Sequence, residues 1–213
     1  MRLKGQTKLR VGIPSHASKL YEPIMSSLHL SAVLHDHRLF YPGIETCLYL
    51  VRGWDIPLLV ESGSFHYAIC GIDCVKESEV DVSILQSLSL RRSRLVLLAR
   101  SSKTQEFPDC PVVATEYPNL TRDYFNRKGK TVSIIKIKGA GEAYPHLPGV
   151  HYAVDISTSG KSVISNDLEI IDELMQTDAC LIETKRTHPP ARIRTFADLR
   201  HIVQEDFNDK ELP

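Results

Sequence analysis

The chain has 213 residues, enough to bury a core as one large domain or as two smaller ones. Its 26 Lys and Arg balance 26 Asp and Glu, so no net field draws it to nucleic acid or to an anionic membrane. No apolar run approaches the roughly 20 residues that span a bilayer, and residues 1–6 are followed by no apolar signal-peptide segment, which points to a cytoplasmic protein.

Residues 8–13 read as a first strand, ended by Pro14, and residues 15–28 carry Leu20, Ile24 and Leu28 at helical spacing. The loop between them, Pro14-Ser15-His16-Ala17-Ser18-Lys19, is a candidate phosphate or nucleotide contact, with His16 and Lys19 either ligands or ordinary surface residues. A strand at 46–51 leads to a helix at 54–61, opened by Asp55, with Pro57 in its first turn and Gly63 beyond its end. Residues 65–72 form a buried strand. Asp73 just past it either lies where ligands bind in an α/β sheet or caps a helix at 74–78. Strands at 80–85 and 94–99 flank Leu90-Arg91-Arg92-Ser93-Arg94, whose arginines either clamp phosphates or form a solvated basic turn. Residues 101–109 are polar and turn-rich, as a crossing between domains would be.

Beyond that crossing the alternation restarts. Strands are expected at 112–115, 131–137 and 152–156, and helices at 119–128, closed by Gly129, and 141–147. A strand at 179–183 and an amphipathic helix at 196–207, with Leu199 and Val203 four apart, complete the pattern. Alternating strands and helices predict an α/β fold of mostly parallel sheets flanked by helices. Cys47, Cys70, Cys74, Cys110 and Cys180 are odd in number and lack CxxC spacing, so they read as free thiols rather than a disulfide framework or a zinc site.

The segment Asp155-Ile156-Ser157-Thr158-Ser159-Gly160-Lys161-Ser162 joins the strand at 152–156 to an expected helix at 163–168. Such a loop presents backbone N–H groups and a positive helix end to an anion. A nucleotide-binding Walker loop would need Gly where Asp155 stands. A strand ending in an acid, followed by small hydroxyl residues and one Gly, suits a sugar phosphate better, the hydroxyls taking the phosphate and the carboxylate the ribose. An ordinary turn whose Ser and Thr cap a helix is the competing reading.

Residues 113–125, Val-Ala-Thr-Glu-Tyr-Pro-Asn-Leu-Thr-Arg-Asp-Tyr-Phe, closely resemble a segment of the ATP phosphoribosyltransferase family. Further stretches fall in that family's order: Arg52 with Asp55-Ile56-Pro57, Val60-Glu61-Ser62-Gly63, Ile69-Cys70-Gly71-Ile72-Asp73, Arg94-Leu95-Val96, Gly139-Ala140-Gly141-Glu142 and residues 155–168. The resemblance implies a two-lobed fold like that of type II periplasmic binding proteins. Domain I would hold residues 1–103 plus 182–213, and domain II residues 104–181. It implies transfer of phosphoribosyl from phosphoribosyl pyrophosphate to N1 of ATP with Mg²⁺ present, the first step of histidine biosynthesis. A chain ending at Pro213 looks like the short form, which lacks a regulatory domain and works with a histidyl-tRNA-synthetase-like subunit, as a homodimer or hetero-oligomer.

Carried over by motif, Asp155, Thr158, Ser159, Gly160, Lys161 and Ser162 would hold phosphoribosyl pyrophosphate. Asp155, Glu142 and Arg94 would serve the transfer, and Asp73, Pro14, His16, Lys19 and Arg52 would meet ATP. Three departures stand out. Ser15 to Lys19 replaces the usual Lys/Arg-Gly, Ser89-Leu90-Arg91-Arg92-Ser93 replaces a Gly-rich segment, and His151 replaces an acid, which would alter ribose or Mg²⁺ handling. A paralogue with another acceptor, or a binding module without turnover, is the alternative.

Overall fold

In the computed structural model, residues 8–15, 39–89, 93–101 and 108–207 are described. The expected helix at 15–28 with His16 and Lys19, the arginines Arg91 and Arg92, and most of the polar crossing lie outside the described residues. The chain divides into two compact units, Met1–Leu90 with Asp178–Pro213, and Arg91–Thr177.

The first unit is built on a sheet in the order β2-β3-β1-β4-β11-β5. Its strands are β1 (Leu9–Pro14), β2 (Phe40–Pro42), β3 (Thr46–Val51), β4 (Tyr67–Gly71), β5 (Val82–Ser87) and β11 (Ala179–Thr184). β3, β1 and β4 are parallel neighbours, while β2 and β11 run against theirs. β1 and β4 are buried almost throughout, as strands covered on both faces must be. On one face Val11, Ile13, Leu48, Leu50, Ile69 and Leu181 pack with Leu199 and Val203 of α5 (Phe196–Phe207). On the other, Ala68, Cys70, Cys180 and Ile182 pack with Ile56 and Val60 of α1 (Ile56–Glu61). Helix α5 is tied at its far end as well. The Asp206 carboxylate accepts the N–H groups of Ile44, Glu45 and Thr46 at 2.7, 3.1 and 2.7 Å. A Cβ on Gly43 would come within 2.1 Å of that carboxylate.

The second unit has the sheet order β10-β6-β9-β7-β8. Its strands are β6 (Ser93–Arg100), β7 (Val112–Thr115), β8 (Ser133–Lys136), β9 (Tyr152–Ser157) and β10 (Leu168–Thr177). β9, β7 and β8 are parallel, and β6 runs against both β9 and β10. Helix α3 (Pro118–Arg127) starts on Pro118 and gives way to Gly129 at φ 68°, the usual proline-first, glycine-last asymmetry. Its Tyr124 O–H and the Lys128 ammonium both donate to Asp172 Oδ2 at 2.7 Å, pinning the edge strand β10.

Several expectations are corrected here. The helix expected at 163–168 is the single turn α4 (Lys161–Ser165), and Leu168 already opens β10, a ten-residue strand that the sequence reading passed over, as it did the three-residue β2. Asp73 does not cap a helix. Gly71 holds the N-cap of α2 (Ile72–Ser78), and Asp73 sits in that helix's first turn. The chain crosses between the two compact units at 90/91 and 177/178, beside the boundaries expected at 103/104 and 181/182. β6 takes its hydrogen-bonding neighbours from β9 and β10, so it falls in the second unit. The segment at 141–147 is a 3₁₀ helix, Gly141–His146, with Pro145 inside it.

Candidate functional site

In the second unit, β7 and β9 run parallel and end side by side, at the edge where open α/β sheets take their ligands. Thr115 Oγ1 donates to the Val154 carbonyl at 2.9 Å and accepts the Tyr117 N–H at 2.9 Å, which fixes the chain around Glu116 next to the end of β9. β9 then delivers Asp155. Its Oδ1 accepts the N–H of Ile156 at 2.7 Å, and its other oxygen lies where a Cβ on Gly141 would come within 2.5 Å. Only glycine lets the 3₁₀ helix approach this closely, and Gly141 brings Glu142 with it. Burial pushes the Asp155 carboxyl up to about 6, with the charges of Glu142 and Glu116 pushing the same way and the N–H groups of Ile156 and Gly141 opposing.

After Ser157 the chain leaves the sheet as Thr158-Ser159-Gly160 and enters α4. Gly160 is its N-cap at φ 71°, and a Cβ there would meet nothing within 4 Å, so the loop needs glycine for its backbone and leaves open space above it. Thr158, Ser159, Lys161 and Ser162 are all exposed. Thr158 Oγ1 lies 2.9 Å from Ser93 Oγ, and Ser159 Oγ accepts the Lys161 N–H at 3.4 Å. With only five residues, α4 contributes little dipole, so the loop's grip on an anion must come from its N–H and O–H groups. Arg94 stands opposite Ser157 in the β6–β9 register, at the loop end of the sheet, with its guanidinium 3.6 Å from Glu173 in a half-exposed pair. Ser157 Oγ is buried with no hydrogen-bond partner among the described residues.

The second unit therefore brings together Asp155, Glu142, Arg94 and the loop residues Thr158 to Ser162. It adds Glu116 and Ser93, which sequence reasoning missed. Glu116 carries the same signal that drew attention to Asp73, an acid just past a strand end. Ser93 carries none, because its contact spans 65 residues. His151 precedes the first residue of β9, about 13 Å of strand from Asp155 at some 3.3 Å per residue. There its Nδ1 accepts the Val112 N–H at 3.0 Å, so it fastens β7 and does not take the place of a ligand at the loop.

In the first unit the parallel strands β1, β3 and β4 bring Pro14, Arg52 and Asp73 to one sheet edge, each at or just past a strand's C-terminal end. Arg52 is exposed, whereas Asp73 is only 7% exposed and accepts a hydrogen bond from Cys74 Sγ at 3.7 Å. Burial, then the charge of Asp73, pushes the Cys74 thiol far above its ordinary value, so it is no nucleophile. All five cysteines are free. Among the described residues no three His, Cys, Asp or Glu side chains are grouped to hold a metal ion, and no helix is long and apolar enough to cross a membrane.

The HisG family model, ATP phosphoribosyltransferase, matches residues 52–201. The chain is 34% identical over 210 residues to a protein named ATP phosphoribosyltransferase from Methanopyrus kandleri, covering 93% of this chain and 73% of the relative. It is 32% identical over 186 residues to one of the same name from Methanocella arvoryzae, covering 83% of this chain and 65% of the relative. The chain thus spans about two thirds to three quarters of the length of these curated relatives. Among solved structures it is similar to a chain of the ATP phosphoribosyl transferase (HisG:HisZ) complex from Thermotoga maritima, with TM-score 0.75 and 25% identity, covering 95% of this chain and 100% of that one. With the periplasmic aliphatic sulphonate binding protein SsuA from Escherichia coli it shares the fold alone, at TM-score 0.52 and 14% identity, over 85% of this chain and 62% of that one.

Proposed function

Because the chain belongs to the ATP phosphoribosyltransferase family, we propose that it transfers phosphoribosyl from phosphoribosyl pyrophosphate to N1 of ATP, the first step of histidine biosynthesis. A bond forms between the adenine nitrogen and the anomeric carbon, and the bond from that carbon to pyrophosphate breaks, its electron pair leaving with pyrophosphate. Such a transfer asks for positioning and for charge placed around an oxocarbenium-like centre rather than for a covalent intermediate. The observation that carries the reading is the loop at the end of β9, with an acid before it, exposed hydroxyls along it and Gly160 at φ 71° over open space.

In this reading the N–H and O–H groups of Thr158, Ser159, Gly160, Lys161 and Ser162 bind the 5-phosphate. Asp155 accepts from the ribose hydroxyls, and Arg94 leaves Glu173 to meet a donor phosphate. Glu142 and Asp155 fit the habit of Mg²⁺, which takes one or two carboxylates together with substrate phosphates rather than a full protein cage. When bound, the ion supplies positive charge to the departing pyrophosphate. Pro14, Arg52 and Asp73 of the first unit serve ATP, with His16 and Lys19 proposed alongside them. The free thiols and balanced charge suit a cytoplasmic enzyme, and assembly with a separate regulatory subunit of the histidyl-tRNA-synthetase type is part of the proposal.

The experiment is pyrophosphate release from ATP, phosphoribosyl pyrophosphate and Mg²⁺, with and without such a subunit. Gly160→Asp, which adds both a left-handed strain of about 1 kcal/mol and a like charge beside the phosphate, should abolish it. Donor binding without product from any purine would overturn the transferase reading in favour of a binding module.

A further inference from the structure

We propose that Ser93 is a positioning residue for the donor phosphate, holding Thr158 so that its hydroxyl proton is presented to the anion. The inference rests on the reading of residues 158–162 as the donor's phosphate loop. Ser93 is the first residue of β6 and only 2% exposed, while Thr158 is exposed at the first position beyond β9. Their hydroxyl oxygens lie 2.9 Å apart, and either can be the donor.

A phosphate settles that choice. At neutral pH its oxygens accept and do not donate, so Thr158 must donate to it, and the Ser93 O–H must then donate to Thr158 Oγ1. The two hydroxyls run in series from the sheet to the anion, each polarising the next. Without Ser93, Thr158 is a surface side chain free among its rotamers, and that freedom has to be given up when the phosphate arrives. Ser93 touches no substrate in this arrangement and acts only through Thr158.

The test is calorimetric titration of the full chain with phosphoribosyl pyrophosphate for wild type, Ser93→Ala, Thr158→Val, the double variant and Thr158→Ser, followed by steady-state kinetics with ATP. Each single loss should weaken donor binding about fivefold. The double variant should be no weaker than either single by more than about twofold, because both changes cut one relay. Thr158→Ser restores the hydroxyl and should bind the donor more tightly than Thr158→Val. The kinetic effect should fall on KM for the donor more than on KM for ATP, with the unfolding midpoint of Ser93→Ala within about 4 °C of wild type. Ser93→Cys, which keeps the side-chain size and replaces the O–H with a weak S–H donor, repeats the test if alanine disturbs folding. The proposal is overturned if Ser93→Ala binds the donor like wild type, if the two single losses multiply in the double variant, or if KM for ATP rises as much as KM for the donor. Wild type that binds the donor without turnover would remove the transferase reading yet leave the relay to be judged from these affinities. Wild type that binds no donor at all would remove both.

Discussion

A carboxyl group that titrates at about 6 is still partly protonated near neutral pH, and Asp155 is held there by burial with two further acids nearby. Its folded value lies above the ordinary 3.8, so its protonated form stabilises the fold below about pH 4, and that contribution is lost as pH rises through about 6. Asp155→Asn should therefore raise stability by about 1–3 kcal/mol at pH 7.5 and by only about 0.5 kcal/mol at pH 4, while removing donor binding. Chemical denaturation at the two pH values checks this, and an equal gain at both would show that charge is not the cause. An acid at a strand end followed by a glycine and hydroxyls was legible in the sequence because strand, turn and acid are local. The closeness of Glu116 and Ser93 was not, because parallel and antiparallel pairing bring them in from other strands.

At the scale of elements, β10 shows where sequence reasoning stops. Leu168-Glu169-Ile170-Ile171-Asp172-Glu173-Leu174-Met175 mixes helix formers with irregular alternation, and the strand carries irregularities at Ile170/Asp172 and Glu173/Met175 that break the two-residue period. Pairing with β6 and the anchor from Tyr124 and Lys128 to Asp172 override that local preference. Helix α5, by contrast, appears at the bounds its spacing predicts, because it buries one apolar stripe. Its attachment through Asp206 makes a sharp prediction. Asp206→Ala leaves three N–H groups of the β2–β3 turn without their acceptor and should cost about 2 kcal/mol in thermal or chemical unfolding. Gly43→Ala should cost less in that background than alone, since the 2.1 Å clash with Asp206 is then gone, although the Thr46 carbonyl at 2.7 Å still resists.

Across the whole molecule, two groups, one in each unit, answer acid with opposite sign. His66, in the first unit, is buried and accepts the Arg10 N–H on Nδ1 at 3.0 Å. Burial, then the Arg10 charge, holds it down at about 4, so its contribution is present above pH 6.5 and is lost as pH falls through about 4. Asp155, in the second unit, contributes in the other direction across nearly the same range. Between pH 7 and pH 4.5, amide exchange corrected for intrinsic rate should speed up in β1 and β4 and slow down in β9. A shift of one sign in all three strands would contradict both assignments.

The seating of β11 between β4 and β5 has a consequence for how the protein is made. Residues 91–177 leave the ribosome as a continuous stretch and can close their own sheet at once. Among the described residues, the earlier-made strand β5 has no hydrogen-bonding neighbour but β11, which emerges almost 100 residues later. The half of the molecule synthesised first is thus the last to be finished, and until then two bare strand edges wait for the nascent chain to come back and fill the gap between them.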